Sequence, residues 1–288
     1  MFRSHLTPEK IASAYHDACM AELQALKPGN VHVFADGHGM TIHDFVKSAD
    51  VSAAVIAEPN LSVGERILHS VVATKNAVDM NTNLGIILLC APLIHAAFSI
   101  NSEQTLQQNL NDTLSQLTIS DAQYAAEAIL LASPAGLGGV NDNDVHEKSS
   151  VTLLAMMQSA QHQDRIAWQY ANSFSDIFNF GLSRYSEAQD KWQNRSKTQH
   201  SAWATTALYL GFIARQLDTH VVRKYGESLA TDVMNEAQDI EAAYLSTDNP
   251  KLIQKKLLDW DASLKGRSIN PGTSADITVA CVLASFLQ

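Results

Sequence analysis

From Leu84 to Phe98 the chain reads LGIILLCAPLIHAAF, a segment with no carboxylate, lysine or arginine and apolar side chains at almost every position. A helix with such a sequence has no polar face to turn to water, so it must be enclosed by other elements. It falls short of the roughly 20 apolar residues that a membrane span needs, and Pro92 and His95 interrupt it further. Pro92 should bend the helix or break its hydrogen bonding. The segment, counted from Asn81 to about Ala97, is therefore expected at the centre of a core that the rest of the chain wraps.

Helical periodicity supplies that wrapping almost everywhere, and strand alternation almost nowhere. Thr7 with Pro8 at the first helical position opens a helix to about Leu26. The segment KPGNVHVFADGHGM is a loop, and a second helix runs from Thr41 to about Ala57. Ser62 and Glu65 form a capping box ahead of the stripe Val63, Ile67, Leu68, Val71 and Val72, and Ser120 with Gln123 suggests another. After the breaker-rich stretch Ser133–Glu147, helices are expected at 151–161, 165–180, 201–224, 228–245 and 250–264. A last one follows NPGTSAD. With 13 glycines and 7 prolines in 288 residues, the chain cannot punctuate a many-stranded sandwich or barrel. The expectation is an all-α protein, residues 1–288 forming one compact domain of ten or more helices around the apolar one.

The charge narrows the possible partners. Thirty acidic against 20 basic side chains leave a formal net charge of −10, the wrong sign for a sequence-independent nucleic-acid binder. No membrane span or signal-peptide core is visible, and Cys19, Cys90 and Cys281 are scattered among apolar neighbours. Buried thiols in a reducing cytoplasm are expected. There is no P-loop, no HExxH and no CxxC. Gly136-Leu137-Gly138-Gly139 follows a helix rather than a strand, so it does not read as a dinucleotide loop. Asp142, Asp144 and Glu147 read as a solvated acidic loop rather than a calcium site.

Four polar constellations remain, mostly where loops meet helices. Lys27-Pro28-Gly29-Asn30-Val31-His32 reads as an exposed turn carrying a cation, or as a plain helix stop. Asn81-Thr82-Asn83-Leu84-Gly85 heads the most apolar helix, where unpaired N–H groups suit an anion, although one of these side chains can simply be the cap. Asp218-Thr219-His220 falls within the long helix expected over 201–224, where a carboxylate among apolar neighbours needs a partner or a function. Asn270-Pro271-Gly272-Thr273-Ser274-Ala275-Asp276 heads the last helix, with Thr273 as its expected cap and Asp276 in its first turn.

In this order, KPGNVH, SVGERI, NTNLGIILLCAPL, DTHVVRKYG and NPGTSAD resemble the triphosphoribosyl-dephospho-CoA synthase family over about residues 8–287. NTNLG stands beside that family's N-T-H-K-G, and NPGTSAD beside N-P-G-G-S-A-D. The resemblance implies an all-helical enzyme in which a hydroxyl of dephospho-CoA, or of a related coenzyme precursor, attacks C1′ of the ATP ribose and adenine leaves. It implies Glu65, Asp218 and Asp276 as catalytic carboxylates, Asp218 and Asp276 also holding Mg²⁺. It implies a substrate-binding set of Lys27, Gly29, Asn30, His32, Asn81, Thr82, Asn83, Gly85, Thr219, Asn270, Gly272 and Thr273. The partners expected are small nucleotides and coenzyme precursors in the cytoplasm, with no nucleic acid and no membrane; a homodimer is left open.

The chain departs from the family at marked places. Asn83-Leu84 stands for His-Lys, PAGLGGVNDNDVHE takes the place of an Arg-Gly-Glu segment, and His38-Gly39-Met40 lacks an acid found in the family's H-x-D-M. Three functions therefore stay open at this level. They are transfer, a nucleotide-binding helical protein without catalysis, and a pentosyl transferase or hydrolase in another pathway, such as that of methanopterin-type one-carbon cofactors.

Overall fold

The computed structural model describes residues 6–37, 39–98, 104–132, 149–196 and 198–288. His38 and the stretch Ser133–Glu147, with its glycine run and acidic residues, lie outside the described residues. The protein is all-α: the described residues form fourteen α-helices, one π-helix and one 3₁₀ turn, with two isolated bridge pairs and no strand. The chain groups into two compact units. Unit 1 takes Met1–Asp17, Asp44–Ser175 and Leu283–Gln288, and unit 2 takes Ala18–His43 and Asp176–Val282.

The helices are α1 (Pro8–Gln24), α2 (Ile42–Ile56), α3 (Val63–Val78), α4 (Leu84–Phe98), α5 (Leu106–Ser115), α6 (Ile119–Ala132), α7 (Leu153–Ala160) and α8 (Arg165–Ala171). A π-helix at Asp176–Gly181 precedes α9 (Leu182–Trp192), α10 (His200–Arg215), α11 (Thr219–Tyr225) and α12 (Glu227–Ser246). A 3₁₀ turn at Pro250–Ile253 leads into α13 (Gln254–Gly266), and α14 (Gly272–Leu287) ends the chain.

In unit 1, α4 sits where its sequence demands. Eleven of its 15 residues are buried, and α3, α5, α6 and α8 pack on it. Pro92 lies inside the helix. The carbonyl of Leu88, four residues before it, is the one a residue at 92 would ordinarily bond, and it accepts the Tyr170 hydroxyl at 2.5 Å instead. Gly64, at the start of α3, lets that helix meet α6 closely: a Cβ there would lie 2.5 Å from the Asp121 Cα.

In unit 2, α10 is buried along most of its length and packs against α9 and α12. The three cysteines are free and buried, as expected. Among the described residues no helix is long and apolar enough to cross a membrane.

Four local expectations are corrected. The box opening α6 is formed by Thr118 and Asp121, not Ser120 and Gln123: Asp121 N donates to Thr118 Oγ1 at 3.1 Å and Thr118 N to Asp121 Oδ2 at 2.8 Å. Gln123 instead donates to the Ser149 carbonyl. The helix expected over 165–180 breaks after Ala171, because Ser173 and Phe174 take positive φ and the Phe174 side chain buries fully beside Tyr170. The helix expected over 201–224 breaks at Gln216–Asp218, where the carboxylate of Asp218 caps a new helix. The last helix starts at Gly272, inside NPGTSAD rather than after it.

Candidate functional site

In unit 2, KPGNVH is a buried loop and not the exposed cationic turn its sequence suggested. Lys27 is 0% exposed, with Asn30 and His32 also buried. The Lys27 ammonium lies 2.5 Å from Glu22 Oε1 and also donates to the Val31 carbonyl. Burial pushes Lys27 down and Glu22 up, and each is pulled back by the charge of the other. A buried ion pair of this geometry holds a loop in place more than it recognises a ligand.

The two motifs 240 residues apart are built on each other. Asn30 Nδ2 donates to Asn270 Oδ1 at 2.9 Å, and Val31 N donates to Asn30 Oδ1 at 2.7 Å. Gly29 takes φ +85°, and a Cβ on it would come within 2.8 Å of Pro271 Cδ. Its N–H donates to Asp261 Oδ1 at 2.8 Å, while Tyr209 donates to the Pro28 carbonyl. His32 Nδ1 accepts from Phe34 N, and Nε2 sits 3.4 Å from Asp261 Oδ1, too oblique for a good hydrogen bond. Burial holds His32 below the ordinary imidazole value. Burial by itself would raise Asp261, but the nearby His32 ring and the hydrogen bonds from Gly29 and Lys265 hold it below the carboxylate norm. Asp261 and Lys265 look in the sequence like a surface i,i+4 pair, which is why sequence reasoning missed Asp261.

Asp218 lies at the break between α10 and α11 rather than within a helix, and it is 4% exposed. Its Oδ1 accepts from His220 N and Val221 N, capping α11. Its Oδ2 accepts from both N and Oγ of Ser274, in the first turn of α14, at 2.7 and 2.8 Å. One carboxylate thus serves two helix starts and accepts four hydrogen bonds. Burial raises its pKa, against the pull of the Ser274 hydrogen bonds. Thr273 does not cap its own helix as expected. Its Oγ1 accepts from His220 N at 3.2 Å and pairs with Thr219 Oγ1 at 3.1 Å. A Cβ on Gly272 would meet the His220 ring at 3.5 Å. Asp276 lies beyond the first turn, half-buried, where its charge favours protonated Lys27.

The Mg²⁺ role expected of Asp218 does not fit its surroundings, because its acceptor sites are taken by the N–H groups of His220, Val221 and Ser274 and by the Ser274 hydroxyl.

In unit 1, Glu65 completes the capping box read from the sequence. Ser62 N donates to its Oε2 at 2.8 Å, and Glu65 N donates to Ser62 Oγ at 3.3 Å. Gly64 N donates to Asp121 Oδ1, which ties the two helix starts together. Arg66, missed in the sequence because it lay on an apolar stripe, is buried and donates to the Ile56 and Glu58 carbonyls at the end of α2. Burial brings it down to about 10.

The Asn81–Gly85 turn divides its side chains between inside and outside. Asn81 is exposed and its Oδ1 accepts from Leu84 N at 3.2 Å, so the capping role falls to it. Thr82 turns inward and pairs with Ser48 Oγ at 2.6 Å, and buried Asn83 reaches toward Ser52 Oγ at 3.5 Å. Ser52 in turn bonds the Tyr15 hydroxyl. Gly85 lies in the first turn of α4. A small pocket opens beside this turn, walled by Thr74, Lys75, Met80, Asn81, Asn83 and Leu84. Thr74 and Lys75 carry no sequence signal that separates them from the rest of α3.

A family model described as ATP:dephospho-CoA triphosphoribosyl transferase (CitG) matches residues 8–288. A crystal structure from Archaeoglobus fulgidus, provisionally named a triphosphoribosyl-dephospho-CoA synthase, superposes with a TM-score of 0.62 at 18% identity. The match covers 85% of this chain and 97% of that one, and at such identity it bears on the fold alone. No curated protein sequence matches the chain.

Proposed function

Because the chain belongs to the ATP:dephospho-CoA triphosphoribosyl transferase family, we propose that it performs that family's transfer with the polar residues at the heads of α3 and α4. The protein is a transferase that moves the triphosphoribosyl group of ATP to dephospho-CoA. The observation that carries this is the span of the family match, which takes in every motif of the chain in order.

The chemistry sets the demands. An acceptor oxygen forms a bond to C1′ of the ATP ribose as the bond from C1′ to adenine breaks, and adenine leaves with the bonding pair. The hydroxyl proton passes to a base, and the triphosphate stays on the transferred sugar. Positive charge builds on the ring as the bond to adenine weakens, and a nearby carboxylate stabilises it. In the proposed assignment the Asn81–Gly85 turn receives the triphosphate at the N-terminus of α4. Glu65, whose capping box uses Oε2 alone, takes the proton of the acceptor hydroxyl.

The residues of unit 2 enter differently. Asp218 positions the starts of α11 and α14, and Lys27, Gly29, Asn30, His32, Thr219, Asn270, Gly272 and Thr273 hold the same framework. Asp276 is the carboxylate of that unit that the family pattern marks as catalytic. Mg²⁺ arrives as part of the nucleotide substrate, on its polyphosphate, and no step is assigned to a resident ion. The family model covers both units, so residues 1–288 are proposed as one functional domain, working in the cytoplasm.

Adenine release from ATP, measured with and without dephospho-CoA, tests the transfer. Release only in the presence of acceptor is expected. Release without acceptor makes the protein a hydrolase, and no release under either condition reduces it to a nucleotide-binding protein.

A further inference from the structure

The pocket beside the Asn81–Leu84 turn contains an unusual group. Thr74 is 3% exposed, lines the pocket, and its Oγ1 has no hydrogen-bond partner. A threonine within a helix ordinarily bonds back to the carbonyl four residues earlier, as Thr205, Thr206 and Thr278 do in this protein. A buried hydroxyl left unpaired is destabilising, so its presence calls for an explanation.

Its neighbour Lys75 lines the same pocket. The ammonium lies 2.8 Å from Asp79 Oδ1, one turn along, and the Asp79 side chain is 88% exposed. Such a pair is worth little and is readily exchanged for a better anion. The third wall is the N-terminus of α4, a helix of 15 residues, with Asn81 and Asn83 at its head. The turn itself, Asn81-Thr82-Asn83-Leu84-Gly85, carries no cation. Met80 and Leu84 supply apolar walls that strengthen any charge interaction made there.

We propose that Thr74 and Lys75 bind the triphosphate of ATP at the head of α4, Lys75 supplying from α3 the cation that the turn lacks. This rests on the reading of the Asn81–Gly85 turn as the triphosphate site, and it adds the residues that make the turn selective for a polyanion. The Thr74 hydroxyl donates to a phosphate oxygen, Lys75 exchanges Asp79 for the same group, and the N–H groups of Gly85 and Ile86 in the first turn of α4 complete the shell.

The test uses the full chain and inorganic tripolyphosphate as probe, with affinity read by titration calorimetry and folding by Tm. Lys75→Met is expected to weaken tripolyphosphate about 10-fold with Tm unchanged, since one charge-assisted hydrogen bond is lost. Leu84→Lys in the Lys75→Met background is expected to restore most of that affinity. Thr74→Val, close to isosteric, is expected to weaken binding several-fold while Tm holds or rises, because an unpaired buried hydroxyl is removed.

Wild-type affinity in Lys75→Met overturns the proposal. So does a Thr74→Val protein that loses Tm and keeps its affinity, since Thr74 would then be structural. Lys75-dependent binding in a protein that transfers nothing upholds this subsite and overturns the assigned reaction. Acceptor-dependent adenine release with a KM for ATP indifferent to Lys75→Met does the reverse.

Discussion

The motif residues of unit 2 and the pocket of unit 1 differ in how far their polar groups are satisfied. In unit 2, Asp218 accepts four hydrogen bonds, Asn30 and Asn270 bond each other, and Asp261 accepts from Gly29 and Lys265, although His32 Nε2 beside it is left short of a hydrogen bond. In unit 1, Thr82 and Asn83 turn inward to the serines of α2, but Thr74 presents a hydroxyl with no partner beside a lysine held only loosely. Satisfied buried groups fix geometry, whereas unsatisfied ones are a cost that a ligand can offset. A residue in a chemically suggestive motif is therefore a better candidate for substrate when the fold has not already used its donors and acceptors.

That contrast predicts where each kind of damage should fall. The largest effect is expected from Asp218→Ala, which strands donors at two helix starts and should cost about 3–5 kcal/mol of stability. Urea unfolding of the full chain measures it. If Asp218→Asn instead keeps normal stability and loses Mg²⁺-dependent nucleotide binding, the carboxylate belongs with the ligand-facing groups and the contrast breaks.

Glu65→Gln tests the opposite side. Glutamine serves a capping box nearly as well, so stability should move by less than about 0.5 kcal/mol. Turnover should fall by ~10²–10⁴ with nucleotide affinity retained. A Gln variant with full activity leaves Glu65 as a cap and nothing more. Gly64→Ala should cost about 2–3 kcal/mol, because a Cβ 2.5 Å from the Asp121 Cα can be admitted only by moving α3 away from α6. Thermal unfolding should show the loss.

The smallest expected effect is a pH dependence. His32 is held below the ordinary imidazole value by burial, despite the opposing influence of Asp261, so the folded protein keeps it neutral. The stability tied to that neutrality is complete above about pH 6.5 and falls as the pH drops through it, because the unfolded chain takes the proton first. The wild-type Tm should therefore fall more steeply between pH 7.5 and 5.5 than that of His32→Gln. Parallel curves would mean that the folded imidazole accepts its proton without cost.

The helical class and most helix positions were legible because apolar periodicity and capping are local. Pro8 opens α1, the Ser62–Glu65 box opens α3, and the α4 run could have only one place in a core. The two breaks missed, near Ser173 and at Asp218, are decided by burial and by a distant partner rather than by local propensity. Burial of Phe174 beside Tyr170 offsets an unfavourable backbone at the first. Ser274, 56 residues away, supplies half of the hydrogen bonds of Asp218 at the second.

The candidate site was legible as a set of residue types and not as a set of roles. Sequence marked Lys27 as a cation for a ligand, but only tertiary packing decided that Glu22 and Val31 would enclose it. It gave no sign of Thr74 or Lys75, which differ from other helix residues only in what lies opposite them. The chain by itself determined that this protein would be helical and acidic and that α4 would be enclosed by other helices, because burial and backbone preference are set within a few turns of sequence. Which polar groups pair internally and which wait for a substrate depended on contacts between segments up to 240 residues apart, and a hydrogen bond is satisfied only when both partners have been brought together.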